Sequence, residues 1–181
     1  MDILNRMRVI VVALLLAAVG AASALPAGPP NEYALKSVFL YNFCRFIDWP
    51  EFAFSSPTEP LVIGVLGDDP FGSMLLEAVQ GERFRGRPIE IERYRSPREV
   101  GRCHLLFVTG EETARMNEIL AATAGKSIVT VGESEMFVQR GGMIALAADR
   151  NRVRLLINPD ALRAAKLDVS SKLLRVAEIT R

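Results

Sequence analysis

Three short, mostly apolar strand segments, Leu61 to Leu66, His104 to Thr109 and Ser127 to Val131, the first of them a continuous apolar run, constrain this chain more than anything else in it. A strand with one wet face alternates apolar and polar residues, whereas a continuous run is buried on both faces. The segments between these runs read as helices: Gly72 to Gln80, a short one at Ser96 to Val100, and Thr113 to Thr123. A further strand is predicted over Pro88 to Tyr94. Strand alternating with helix predicts a parallel sheet covered on both sides. Near the end, Gly142 to Ala148 and Val153 to Asn158 flank Asp149-Arg150-Asn151-Arg152, a hairpin-length loop of turn-forming residues. Pro159-Asp160 opens a helix to Lys166, and Ser170-Ser171 caps a last one carrying Leu173, Leu174, Val176 and Ala177. The expected fold class is α/β, a Rossmann-like three-layer sandwich whose mostly parallel sheet ends in an antiparallel C-terminal hairpin.

The N-terminus belongs to a different kind of segment. Arg6 and Arg8 precede an apolar run from Val9 to Val19 and then Ala22-Ser23-Ala24, the order of a secretory signal peptide. Eleven apolar residues fall short of the roughly 20 needed to cross a bilayer. Residues 1–24 are expected to be cleaved and 25–30 to form a Pro-rich linker, leaving 31–181 as a single exported α/β domain with no membrane insertion after cleavage. The 157-residue product carries 20 basic and 20 acidic residues. With no broad positive field, nucleic-acid binding through phosphate neutralisation is not expected.

The residues of chemistry are sparse. One His and two Cys exclude a disulfide-dense scaffold and the usual four-ligand zinc site. Gly125-Lys126-Ser127 has the tail of a phosphate loop, but Leu120 stands where its first glycine belongs and a strand follows, so a helix-to-strand turn is the better reading. Asp68-Asp69, at the end of the first central strand, resemble the acidic pair of receiver domains, yet the accompanying Asp and Lys are missing. They are expected to turn the chain and cap the next helix, with a small-ligand contact at the strand ends as the alternative. His104 has no nucleophile in an elbow motif beside it. Cys44 and Cys103 are a candidate disulfide in an oxidising compartment, with a buried apolar role as the alternative for Cys44. No cofactor and no metal is expected, and catalysis is not.

The unusual segment is the leading helix, predicted from an Asn31 cap to Asp48 and stopped by Trp49-Pro50. Eight of the thirteen aromatics lie between Tyr33 and Phe54. At 100° per residue, Lys36, Asn42, Arg45 and Asp48 fall at about 0°, 240°, 180° and 120°, so no solvated face forms. Such a helix is covered on several sides, by its own domain or by a second molecule, a homodimer mate or another protein.

Here the chain resembles the YfiR-like periplasmic proteins over nearly its whole predicted mature length. The blocks are Glu32-Tyr33 to Leu35-Lys36, Phe39 to Phe43 on to Trp49-Pro50, Val62 to Gly72, Cys103 to Val108, Thr130 to Glu133, Gly141 to Ile144, Val153 with Ile157-Asn158, and Ser170 to Leu174. Cys44 departs from the pattern, which leads one to expect a small residue such as alanine. The resemblance implies a dimeric regulator that represses an inner-membrane diguanylate cyclase by binding its periplasmic sensory domain, lowering cyclic-di-GMP and biofilm formation. Phe39, Tyr41, Phe43 and Trp49 are then the candidate partner contacts. A periplasmic small-ligand sensor using Asp68 and Asp69 is the second reading.

Overall fold

The computed structural model describes residues 32–150 and 152–180; the expected signal peptide, the linker and the Asn31 cap lie outside them. Helix α1 (Glu32–Phe46) leads into β1 (Ile47–Asp48) and a 3-10 turn, Glu51–Ala53. There follow β2 (Leu61–Leu66), α2 (Met74–Val79), β3 (Arg83–Phe84), β4 (Arg87–Tyr94), β5 (Leu105–Val108), α3 (Met116–Thr123) and β6 (Val129–Gly132). The chain ends with α4 (Glu135–Gln139), β7 (Ile144–Asp149), β8 (Arg152–Ile157), α5 (Pro159–Ala164), β9 (Asp168–Val169), α6 (Ser171–Leu174) and β10 (Glu178–Ile179).

Eight strands form one sheet in the order β10-β8-β7-β6-β5-β2-β4-β3, and β1 pairs with β9 apart from it. From β4 through β7 every neighbouring pair is parallel. β7 and β8 make the expected antiparallel hairpin, in register from Ile144↔Ile157 to Asp149↔Arg152. Its turn needs left-handed backbone, and Arg150 supplies a φ of 55°. The sheet divides the core into two clusters. Ile63, Phe107, Val131 and Ile144 meet Leu40 and Phe43 of α1, Leu75 of α2 and Leu162 of α5 on one face. Leu66, Leu106, Val108 and Ala145 meet Met116 and Ile119 of α3 and Phe137 of α4 on the other. The expected α/β class, with a mostly parallel sheet between helical layers, is the observed one.

Element ends follow local chemistry. Ser134, Asn158 and Ser170 accept backbone N–H groups at the starts of α4, α5 and α6, and Pro159 occupies the first turn of α5, where its missing N–H costs nothing. Most helices are shorter than expected, α2 and α3 by two or three residues at their starts, and for two of them strand pairing is the reason. α1 stops at Phe46 because Ile47 and Asp48 pair with Val169 and Asp168. The last helix is a single turn, after which Glu178 and Ile179 pair with β8 and Thr180 donates to the Ile157 carbonyl, capping an otherwise open sheet edge.

Phe137 is held between two glycines. A Cβ placed on Gly132 would stand 2.2 Å from its ring, and one on Gly142 would also stand 2.2 Å from it. A strand that accepts a phenyl ring this closely has no volume for a methyl group. Gly132→Ala is expected to lower the unfolding free energy by about 2–3 kcal/mol, read as a reduced urea midpoint with unchanged slope.

Candidate interaction surface and strand-end cleft

α1 presents two unlike sides. Lys36, Ser37, Leu40, Phe43 and Cys44 are buried along one arc of the helix. On the opposite arc Leu35 is 37% and Val38 48% exposed, with Phe39, Asn42 and Phe46 half-exposed or partly covered beside them. The spacing of Leu35, Val38, Phe39, Asn42 and Phe46 puts them on one face, an apolar stripe interrupted by a single amide.

The candidate contacts separate accordingly. Phe39 lies on the stripe. Tyr41 is half-buried at the other margin, where its hydroxyl donates to Glu82 at 2.5 Å and Arg45 stands 5.9 Å from its ring. That hydrogen bond to Glu82 raises the phenol's pKa. Phe43 is inaccessible, and Trp49 is 4% exposed, its indole N–H donating to the His104 carbonyl at 3.1 Å and its ring edge-on to Phe84. Phe43 and Trp49 therefore support the helix from beneath. Their size and apolarity suit a core as well as an interface, and only the buried arc decides between the two. Leu35 and Val38 are not among the aromatic candidates, although their three-residue spacing is the signal in the sequence that places them on one face.

At the carboxyl ends of the strands, β2 has β4 on one side and β5 on the other, so the chain reverses its direction of travel across the sheet there. A crevice opens outside such a switch point. It has a volume of about 320 Å³ and is lined by Tyr33, Asp68, Pro70, Thr109, Glu111 and Glu133, among others. Asp68 thus faces the cleft. Asp69 instead accepts Phe71 N–H at 2.8 Å and the Arg93 Nε–H at 2.7 Å, which makes it a turn residue; Ser73, not an aspartate, stands at the start of α2.

Beside this cleft, Lys36 is 1% exposed, with Nζ 2.5 Å from Glu32 and 2.6 Å from Glu133. Burial alone would pull its pKa down, but hydrogen bonds to Glu133 and Glu32 outweigh it and the net shift is upward. The second oxygen of Glu133 accepts the Gly110 N–H at 2.7 Å, so one carboxylate joins α1 to the turn after β5. The Thr109 hydroxyl is buried and unpartnered, tucked where Gly67, at φ 97°, has no Cβ. Sequence reading singled out Lys36 only as a polar residue on an unsolvated helix.

His104 closes the opposite end of the sheet. It is 2% exposed, Nδ1 accepts Val62 N–H at 3.0 Å, and Nε2 meets the Ala53 carbonyl at 3.1 Å, a pattern that assigns the proton to Nε2. Phe54 stacks on the ring at 4.4 Å. Both ring nitrogens serve backbone, which leaves neither for proton transfer to a substrate. The candidate Cys44–Cys103 bridge is not formed: both thiols are free, and they belong to core clusters on opposite faces of the sheet. Burial pushes each thiol pKa up to about 12, which makes both poor nucleophiles. Among the described residues no group of three or more His, Cys, Asp or Glu is arranged to hold a metal ion.

Burial lowers the His104 pKa, so the unfolded chain takes up a proton more readily than the folded one. The stability from this neutral imidazole is fully present above the unfolded value of about 6.5 and is lost as pH falls through the lower folded value. In His104→Asn, which keeps an acceptor for Val62 N–H, the loss of urea stability between pH 7.5 and pH 5 is expected to be smaller than in the parent chain.

Residues 33–178 match the family model described as YfiR/HmsC-like. No curated protein matches the chain. Among solved structures, a conserved domain protein from Vibrio cholerae O1 biovar El Tor strain N16961 is similar in fold, with a TM-score of 0.52 and 13% identity over 66% of this chain and 54% of that one. The ABC domain from Streptococcus pneumonia, solved with L-Trp, has a TM-score of 0.52 and 12% identity over 81% of this chain and 59% of that one. This chain spans little more than half the length of either structure. No helix among the described residues is long and apolar enough to cross a membrane. The match over most of the sequence makes the chain a member of the YfiR/HmsC-like family.

Proposed function

We propose that this protein is exported by its N-terminal signal peptide and, as a homodimer, binds and represses the periplasmic sensory domain of an inner-membrane diguanylate cyclase. The observation that carries this reading is the outward stripe of Leu35, Val38, Phe39 and Phe46 on a helix whose other side is locked into the core. Leu35 and Val38 stand exposed on a rigid element, flanked by Phe39 and Phe46 that are partly packed on the core, and an apolar patch held in this way is what a protein partner covers at little further cost in conformational freedom. The residues offer no competing chemistry: the imidazole is committed to backbone and the thiols are buried. Phe39 and Tyr41 remain contact candidates in this reading, with Phe43 and Trp49 as their supports.

The second reading, a small-ligand sensor, draws on the strand-end cleft, where Asp68 and the unpartnered Thr109 hydroxyl stand at the switch point. A ligand that binds only the folded chain raises its melting temperature, increasingly so with the logarithm of free ligand above its Kd, which a thermal-shift screen detects without any partner.

Val38→Asp places a charge in the middle of the stripe at an exposed position, so stability should change by no more than about 0.5 kcal/mol. Affinity for the purified sensory domain, measured by calorimetry, is expected to fall about thirtyfold or more, as for a central interface residue. Unchanged affinity in a folded Val38→Asp, Phe39→Ala double variant would contradict the assignment of this face.

A further inference from the structure

A second cleft opens at the amino ends of β5 and β6, on the far side of the sheet from the switch point, with a volume of about 370 Å³. Its wall includes Phe52, Ser55, Glu59, Arg102, Lys126 and Ser127. Open α/β sheets ordinarily use the carboxyl ends of their strands, so fold alone gives this cleft no task. Its side chains do. Lys126 lies in the turn between α3 and β6, and its ammonium makes no hydrogen bond or ion pair among the described residues. The Arg102 side chain is 78% exposed and reaches only Glu59, at 3.7 Å. Glu59 lies buried in the same wall and also accepts the Ser55 N–H, so one carboxylate shared with backbone offsets only part of the positive charge of Arg102 and Lys126. Phe52 is 66% exposed, and the Lys166 ammonium stands 5.3 Å from its ring centroid. Two cations, Arg102 and Lys126, and an exposed aromatic ring with Lys166 over one of its faces thus border a recess whose wall holds a single carboxylate, in a chain whose overall charge is close to neutral.

We propose that this cleft binds a small organic anion carrying a flat ring, its anionic group held by Arg102 and Lys126 and its ring laid against Phe52. Each element answers one part of the ligand. Guanidinium and ammonium give charge-assisted hydrogen bonds to carboxylate or phosphate oxygens. The phenyl face supplies stacking and takes an exposed apolar ring out of water. A recess of this size suits a molecule of one or two rings. The site is separate from the α1 stripe and from the cleft at Asp68, and it needs no protein partner.

The test titrates the purified chain by calorimetry with phenyl phosphate, inorganic phosphate and benzylamine at low salt. Phenyl phosphate is expected to bind more tightly than inorganic phosphate, and benzylamine not to bind. Arg102→Ala with Lys126→Ala should weaken phenyl phosphate by about tenfold or more, and Phe52→Ala should bring it to the level of inorganic phosphate. All three positions are exposed, so thermal melts of the variants should match the parent. No heat with phenyl phosphate at about 10 mM, a weak limit for a ligand this small, would overturn the proposal, as would equal binding by the double variant or equal binding of benzylamine. None of these readouts involves the cyclase, so their failure is distinct from failure of the regulatory reading.

Discussion

The double-sided burial of β2, β5 and β6 governs the rest of the molecule. All six side-chain positions of β2 and all four of β5 and of β6 are buried, so apolar cover is required above and below. α3 and α4 supply it on one face, and α1, α2 and the C-terminal helices on the other. α1 is the longest of these covers, and it gives Leu40 and Phe43 to the core, followed by Ile47 and Trp49 just beyond its end. A helix pressed to a sheet along one arc must show the other arc to something else. In most surface helices that arc is charged; here it is Leu35, Val38, Phe39 and Phe46.

Polar ties fix which arc faces out. Lys36 sits between Glu32 and Glu133, and Glu133 also holds Gly110, so the first turns of α1 are joined to the ends of β5 and β6 by one charged network. Removing one member would strand a buried charge, which costs far more than an exposed pair contributes. At the other end, Trp49 reaches the His104 carbonyl, and His104 in turn takes Val62 N–H. The helix is therefore anchored at both ends, and rolling its outer stripe inward would break both anchors. Charge is also unevenly divided along the strands, with Asp68, Glu111 and the Lys36-paired Glu133 at the carboxyl ends and Arg102 and Lys126 against the one carboxylate of Glu59 at the amino ends. Near-neutral net charge conceals this separation, which bears on which small molecules each cleft attracts.

The sequence made the central strands legible because continuous apolarity has few explanations in a short segment. Leu61–Leu66 coincides with the expected run, and the Asp149 to Arg152 connection is the hairpin expected of its turn residues. β1, β3, β9 and β10 span two residues each and α4 five, too short for any periodicity to accumulate. They exist because neighbouring edges need backbone partners, a tertiary requirement with no local signature. The site was legible in part. Apolar excess on α1 announced that it is covered on more than one side, but a count of rings could not tell Phe43 and Trp49, which face inward, from Phe39, which does not. Lys36 reads in the sequence only as one of four scattered polar residues on a covered helix, since the partner that makes its burial tolerable, Glu133, lies 97 residues away.

Footprinting of side chains by a diffusible carbene, in the free protein and in complex with the sensory domain of the proposed partner cyclase, reports most directly on the outer arc of α1. Loss of labelling at Leu35, Val38, Phe39 and Phe46, with Phe43 and Trp49 protected equally in both states, is the predicted result. A complex in which that arc is labelled as strongly as in the free chain would contradict the account.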